Sequence, residues 1–416
     1  MKNFRWVLIS LAFVGILITY LDRMALSYAI GPLEKTFSLN NTEFGMIASG
    51  FGIGYLCVTI ASGILIDHYG ARKIWSLSAL LWTVACVLIG MATGFWWLLL
   101  CRILLGVAEG PSFPALARIT ADWLLPRERA RAFAFALLAV PLSFVIGASL
   151  LSFIIVHFNW RFMFIMVGIF SLIWVMAWQQ LFRDKPSDSK HIGHAELLRL
   201  NNMPKTNPVN AIKKSTPWRY LVFNPALLTN HIAFFALGYL LFFALTWLPA
   251  YFEQSYHIKL ASIGQFLTIP WLVAALMLLL GGFLSDYLWK KTHNFRLARS
   301  HIVWICQVLS AGCLLYVIKS HSPYQAIVGI SLGLGFGMMP NAIFFAINTD
   351  LARDRAATSL GIMDCAFAAS GILAPFLTGK LSTLTGNFNS AIYLMIGITT
   401  ISALGVILFQ YPNKEA

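Results

Sequence analysis

Long apolar segments recur along the whole chain of 416 residues, separated by short polar turns. Each has about 20 residues, the length that an α-helix needs to cross a hydrocarbon core of about 30 Å. Lipid offers the backbone no hydrogen-bond partner, so such segments must form helices that satisfy their own N–H and C=O groups. Charged residues make up only 11% of the chain, against roughly 25% in soluble domains. The sequence therefore predicts an all-α membrane protein with twelve transmembrane helices, at residues 6–30, 44–66, 74–91, 95–117, 130–156, 162–182, 222–252, 263–288, 302–318, 326–347, 358–378 and 391–409.

Lys and Arg are unevenly distributed between the two sides of the predicted membrane. If both termini are cytoplasmic, 23 of the 30 Lys and Arg residues fall in the inner segments and 5 in the outer loops, which leaves Arg23 and Arg102 inside apolar runs. Positively charged loops stay on the cytoplasmic side, so we expect this orientation. The net charge of +14 then lies beside anionic lipid head groups, and nucleic-acid binding is disfavoured. Short tails and tight loops favour a bacterial inner (plasma) membrane.

One long polar interruption, at residues 183–221, divides the spans six and six. We therefore predict an N-terminal six-helix half at 1–182, a cytoplasmic loop at 183–221 and a C-terminal six-helix half at 222–416. Many transport proteins are built from two repeated halves, with the substrate site at their interface.

A short motif closes the second span of each predicted half, at residues 63–73 and 282–291. In both copies a Gly lies four residues before an Asp at the end of the helix, and two basic residues follow four to six positions later. The simplest interpretation is a solvated turn whose basic residues set the orientation. The recurrence also supports the division into two repeated halves.

Four charged residues lie deep inside the first and fourth spans. Arg23 is roughly 25 Å and Arg102 roughly 24 Å from the predicted inner end of its helix, so the two cations occupy one layer. Asp22 adjoins Arg23, and Glu109 projects from nearly the same face as Arg102 two turns further along. Ionisable side chains at this depth are costly and usually face a polar cavity or a substrate.

The chemistry of these side chains suits an acidic substrate and a proton pathway. An arginine fork can hold a carboxylate through two hydrogen bonds and keeps its charge. A carboxyl group removed from water holds its proton more readily, whereas a nearby arginine favours the ionised form. The alternative is a structural role, in which Asp22 pairs with Arg23, or Glu109 with Arg102, to hold helices together.

The motif at 63–73 is similar, at nearly every defining position, to the signature loop of the major facilitator superfamily, with His68 as the one departure. Within that superfamily, nearly the whole chain resembles the anion:cation symporter family, which includes hexuronate, galactonate and organic-anion transporters. The resemblance rests on the order and spacing of Leu21-Asp22-Arg23-Met24-Ala25-Leu26-Ser27 and of residues 102–114, 246–251 and 269–271.

This resemblance implies a fold and a set of roles. The fold would be two six-helix halves, and the loop of the motif would be a charged latch that gates the transport cycle. The anionic group of the substrate would be bound by Arg23 and Arg102, and the protonatable residues would be Asp22 and Glu109. The gating residues would be Asp67, Arg72, Lys73 and Asp286.

Asp364 in the eleventh span stands where many relatives place an asparagine. It lies about 12 Å from the inner end of its helix. It could contact an amine or hydroxyl of the substrate, serve as a second proton site, or cap a polar cluster without touching substrate. Tyr55, Trp271 and Asn341 are further candidates for substrate contact, with packing as the alternative, and we expect His231 to be an interfacial histidine.

The sequence therefore predicts a secondary transporter that imports a small organic anion together with protons by alternating access. The alternatives are a proton-coupled efflux antiporter and a transporter-like membrane sensor. The nucleotide-binding, zinc-protease and hydrolase motifs GxxxxGK[ST], HExxH and GxSxG do not occur, so we expect no enzyme activity and no cofactor. The expected partners are the substrate, protons and membrane lipid, and we expect a monomer.

Overall fold

The computed structural model describes residues 4–201, 218–352 and 356–411. Within these residues all regular structure is helical, with no strand. The chain separates into two compact units. The first comprises Met1–Leu39 and Gly50–Asn207, and the second comprises Asn40–Ser49 and Pro208–Ala416. The predicted loop at 183–221 includes residues 202–217, which lie outside the described residues.

Ten helices lie wholly or mainly in the first unit. They are α1 (Phe4–Tyr28), α2 (Ile30–Phe37), α3 (Asn41–Tyr69), α4 (Ala71–Gly90), α5 (Phe95–Glu109), α6 (Ser112–Trp123), α7 (Pro126–Leu137), α8 (Ala139–His157), α9 (Trp160–Leu181) and α10 (His194–Asn201).

Eight helices belong to the second unit. They are α11 (Trp218–Phe223), α12 (Pro225–Tyr256), α13 (Leu260–Thr292), α14 (His301–Ile318), α15 (Pro323–Met338), α16 (Asn341–Leu351), α17 (Ala356–Thr385) and α18 (Asn389–Phe409). A π-helical turn at Arg296–Ser300 leads into α14.

Eleven stretches of helix within the described residues are long and apolar enough to cross a membrane. A twelfth is α3, whose parts Asn41–Thr59 and Ala61–Tyr69 meet at a bend of 50° and count together as one span. The chain is therefore a multi-pass membrane protein, and its predicted all-α fold is confirmed.

In the first unit, two of the predicted spans are interrupted where the sequence places a proline. The fourth span runs from Phe95 to Trp123 but breaks between α5 and α6, where Pro111 has no N–H for the carbonyl four residues earlier. The fifth breaks between α7 and α8 at Leu138, because Pro141 cannot donate to Leu137. Both breaks lie within runs that hydropathy alone reads as continuous.

A cluster of indole rings holds α1, α4 and α9 together in the first unit. The Trp174 ring of α9 lies with its centroid 5.0 Å from Trp75 and 5.8 Å from Trp82, both on α4. Its Nε1 donates to the Leu11 carbonyl of α1 at 2.7 Å. This packing fixes the helix that carries Asp22 and Arg23.

Glycines allow the backbones of α3 and α5 to approach closely. A Cβ at Gly54 would collide with the carbonyl oxygen of Ile103, and a Cβ at Gly106 would collide with that of Phe51. Small residues at such crossings let membrane helices pack backbone against backbone. The contact brings Phe51 of α3 close to Arg102 of α5.

We expect Gly54→Val to destabilise the first unit by about 1–3 kcal/mol, because the added methyl groups force α3 and α5 apart. The matched control is Gly63→Val on the same helix, where a Cβ would have no atom within 4 Å. Thermal unfolding of both variants in detergent measures the difference. An equal loss of stability in the two would mean that helix propensity, rather than the close approach, sets the cost.

Candidate functional site

An ion pair joins α1 and α5 in the interior of the first unit. Arg23 Nε donates to Glu109 Oε2 at 2.7 Å, and the Glu109 side chain is fully buried. A charge-assisted bond of this length is among the stronger interactions that side chains make. The pairing differs from both structural alternatives that the sequence left open, because it runs between helices and joins Arg23, rather than Arg102, to Glu109.

Three aromatic rings surround the Arg23 guanidinium. Its Cζ lies 4.4 Å from the ring centroid of Tyr20, 4.7 Å from that of Phe51 and 5.2 Å from that of Tyr55. A cation over the face of an aromatic ring is stabilised by the ring quadrupole. Tyr55 was predicted here from the sequence. Tyr20 was not, although it lies three residues before Arg23 and so on the same face of α1.

Arg102 also contacts Phe51, with its Cζ 5.2 Å from the ring centroid. The residue is only 4% exposed, and neither its Nε nor its Nη1 has a hydrogen-bond partner. A buried arginine is normally paired, because unmatched N–H groups of a charged side chain are expensive. Arg102 is therefore a desolvated cation with donors available for an anion.

Asp22 completes the charged group. It is fully buried, and the Cys86 thiol of α4 is its hydrogen-bonding neighbour. Its charged neighbours are Glu109, Arg102 and Arg23. Asp22, Arg23, Arg102 and Glu109, which we call the charged cluster, lie together in one interior region of the first unit. Cys86 is a neighbour that sequence reasoning missed.

The motif at the end of α3 makes a different ion pair from the one that its own basic residues suggest. Asp67 accepts from Arg118 Nη1 at 3.2 Å, and Arg118 Nε donates to Asp122 at 2.7 Å. Arg72 turns away from Asp67. The Lys73 side chain is exposed. Arg118 and Asp122 were not predicted as part of the motif, because they lie about 50 residues further along the chain.

Arg72 instead binds the last turn of α9 and the segment that follows it. Its backbone N–H donates to Asp184 Oδ1 at 2.9 Å, and its Nη2 donates to the Gln179 carbonyl at 2.7 Å. Gly70, with φ +89°, makes the turn, and a Cβ there would lie 2.7 Å from Asp184 Oδ2. Only glycine adopts this backbone conformation at low cost.

The second copy of the motif has its own arginine. Arg299, in the π-helical turn, lies 3.8 Å from Asp286 and 3.4 Å from Asp350, and it donates to Ser285 Oγ at 2.5 Å. Both copies therefore place one arginine between two aspartates. The Arg299 side chain is only 10% exposed, whereas that of Arg118 is 45% exposed.

The three remaining candidates lie in the second unit. Asp364 is exposed on α17, Asn341 is half-buried at the start of α16, and Trp271 is buried on α13 with 2% exposure. Among the described residues, no group of three or more His, Cys, Asp or Glu side chains is placed to hold a metal ion.

The profile of the Major Facilitator Superfamily matches residues 12–375. The chain belongs to this superfamily. The predicted family is confirmed, and the protein is a transporter rather than an enzyme. It is 30% identical to a hexuronate transporter of Bacillus subtilis, over 98% of this chain and 94% of the relative. It is 28% identical to a probable sulfoacetate transporter of Cupriavidus necator, over 96% of this chain and 94% of that relative.

A solved structure has the same fold. A bacterial homologue of the human lysosomal transporter Spinster, in an inward-facing and unoccupied conformation, superposes with a TM-score of 0.82. The alignment covers 99% of this chain and 98% of the homologue at 15% sequence identity, which supports a shared fold and nothing finer.

We expect Glu109→Ala to destabilise the transporter by about 3–5 kcal/mol, because it leaves Arg23 as a buried cation without its partner. Glu109→Gln should cost less, since an amide oxygen can still accept from Arg23 Nε. Asp22→Asn is the matched control, because it changes a buried carboxyl group of the same cluster and leaves the Arg23–Glu109 ion pair in place. Unfolding in detergent measures all three, and equal losses for Glu109→Ala and Asp22→Asn would contradict the importance of the ion pair.

Substitutions of the two motif arginines should change the stability of the protein by different amounts. Arg118→Gln should change the free energy of unfolding by no more than about 1 kcal/mol, because exposed ion pairs contribute little. Arg299→Gln should cost about 1.5–3 kcal/mol, because a mostly buried charge loses its hydrogen bonds. The same unfolding assay compares the two variants, and a larger loss for Arg118→Gln would show that exposure does not govern these pairs.

Proposed function

We propose that the protein is a secondary active transporter that imports a small organic anion together with protons by alternating access. The observation that carries this proposal is Arg102, a buried guanidinium whose Nε and Nη1 have no protein partner. A carboxylate, or a sulfonate of similar charge and geometry, would supply those acceptors. The fork geometry of arginine would then bind it through two hydrogen bonds.

Arg23 would join in binding only after Glu109 changes its protonation state. While Glu109 is ionised, its carboxylate accepts from Arg23 Nε and neutralises that cation. A proton added to the Glu109 carboxylate removes the negative charge that holds Arg23. Arg23 is then available to the anionic group of the substrate, so proton loading and anion binding favour one another.

Asp22 is proposed as the second protonatable residue. Its carboxyl group is fully buried, with the Cys86 thiol as its hydrogen-bonding neighbour, an environment that is more costly for an ionised carboxylate than for a protonated one. Taken with Glu109, this gives two acidic groups beside the two arginines.

The substrate class follows from the charged cluster and from the relatives. The names of the two relatives above refer to a hexuronate and to sulfoacetate, both of which are small organic anions. We propose a sugar acid, carboxylate or related polyfunctional anion for this transporter. Arg102 and Arg23 would hold the anionic group, and the proposed contacts to the remainder of the substrate are Tyr55, Asp364, Trp271 and Asn341.

The motif residues are proposed to gate the cycle. Asp67 would do so through its ion pair with Arg118, and Asp286 through Arg299. Arg72 and Lys73 would contribute charge at the same turn. We further propose that both termini are cytoplasmic and that the protein lies in the inner membrane, because the basic loops then face the cytoplasm. We propose that it functions as a monomer.

We expect Arg102→Ala to abolish anion transport, because it removes the side chain that is proposed to bind the anionic group. Arg102→Lys keeps the positive charge but cannot form two parallel hydrogen bonds to a carboxylate. Affinity for the anion should therefore fall about tenfold or more, the usual cost of losing one hydrogen bond to a charged group. Glu109→Gln should retain counterflow exchange but lose accumulation driven by a proton gradient. Proteoliposomes loaded with D-glucuronate, D-galactonate or sulfoacetate, with and without an imposed gradient, measure these quantities.

Three results would count against the proposal. Counterflow unaffected by Arg102→Ala would remove that arginine from substrate binding. Gradient-driven accumulation by Glu109→Gln would remove Glu109 from coupling. Uptake of none of the anions, together with proton-driven extrusion of cationic amphiphiles, would favour an efflux antiporter.

A further inference from the structure

A buried polar cluster lies in the second unit, where α12, α16 and α17 meet. It consists of Asn230 and His231 on α12, Asn348 on α16, and Ser359 and Met363 on α17. Asn230, Asn348 and Ser359 are fully buried, and His231 is 5% exposed. We call these five residues the amide cluster. None of them belongs to the charged cluster or to the repeated motif.

Asn348 is the centre of the amide cluster, and each of its polar atoms is satisfied. Its Nδ2 donates to the Phe344 carbonyl at 3.1 Å and to Met363 Sδ at 2.9 Å. Its Oδ1 accepts from Ser359 Oγ and from His231 Nε2, the latter at 3.4 Å. Because an amide oxygen can only accept, this contact is a hydrogen bond in the tautomer of His231 that carries its proton on Nε2.

Sequence reasoning placed His231 at the membrane interface, but the structure places it inside this network. A buried polar side chain is oriented by the partners that satisfy it, and Asn348 is satisfied at both of its polar atoms. Removing the His231 donor would leave Asn348 Oδ1 with Ser359 as its one remaining partner. The orientation of the Asn348 amide would then be less firmly fixed.

Asn348 bonds to two residues on a single turn of α17. Ser359 and Met363 are four residues apart, so they lie one above the other on the same helix face. Both bond to Asn348, and Asn230 Nδ2 also approaches Met363 Sδ at 3.7 Å. Asp364 is the next residue after Met363 and is exposed. A rotation of this turn would move the Asp364 carboxyl group directly.

We propose that His231 is a positioning residue, which acts through Asn348 to fix the turn of α17 that presents Asp364. This inference rests on the proposed role of Asp364 in substrate contact. The packing of α12 against α17 further along does not replace this role. There Phe367, one turn beyond Asp364, packs against Gly238 and lies with its ring centroid 5.1 Å from that of Phe234, an apolar contact that does not orient the Asn348 amide.

The test measures how Asp364 is presented and does not depend on the identity of the substrate. The starting protein is the full chain with its six native cysteines replaced by serine. Asp364→Cys provides the reporter, and Lys380→Cys, exposed four turns further along α17, provides the matched control. A membrane-impermeant maleimide is the probe, and the ratio of the two labelling rates is the readout.

We expect His231→Leu to change this ratio by about threefold or more, as coupling within one hydrogen-bond network predicts. His231→Gln should restore it, because a side-chain N–H is again available to Asn348. If both variants lower the thermal midpoint and leave the ratio unchanged, His231 is structural and the inference is wrong. That result would leave the proposed binding of the anion by Arg102 untouched.

A different result would contradict both the proposed substrate contact of Asp364 and the positioning role of His231. If the reporter at position 364 does not react in the starting protein although the control at 380 does, Asp364 does not face water. Its proposed contact with the substrate then fails, and the positioning role of His231 fails with it.

Discussion

The hydrocarbon core of a membrane offers no hydrogen-bond partner, and the arrangement of this protein depends on that constraint. It makes the spans helical, and it makes a buried charged side chain without a partner costly. Arg23 Nε is paired with Glu109 Oε2. Arg102 is buried beside this pair, yet its Nε and Nη1 have no hydrogen-bond partner. We therefore propose Arg102 as the part of the charged cluster that receives an anion.

The two arginines have different environments despite their shared contact with Phe51. Arg23 is neutralised by a carboxylate and enclosed by three rings, whereas Arg102 retains its charge and its donors. The two cations of the charged cluster therefore differ in whether they are available to an anion. In the proposed mechanism, a proton on Glu109 would release one cation, while the other already has donors available.

Much of this could be predicted from the sequence, because it follows from composition and spacing. The helices appear where apolar runs are long enough, and the depths of Arg23, Arg102 and Glu109 follow from counting residues along a helix. Sequence reasoning failed where partners come from distant parts of the chain. Asp67 pairs with Arg118, Asp286 with Arg299, and His231 with Asn348, and none of these pairs has a local spacing that indicates contact.

The sequence by itself determined the class of the protein, because hydropathy and charge act on each segment independently of its neighbours. It also determined which residues carry unusual charge at depth. Tertiary structure alone decided which charges neutralise each other, because Arg23 reaches Glu109 rather than its neighbour Asp22 only after α1 and α5 pack together. It likewise decided that Arg102 keeps free donors and that His231 is buried, since burial depends on which helix faces meet.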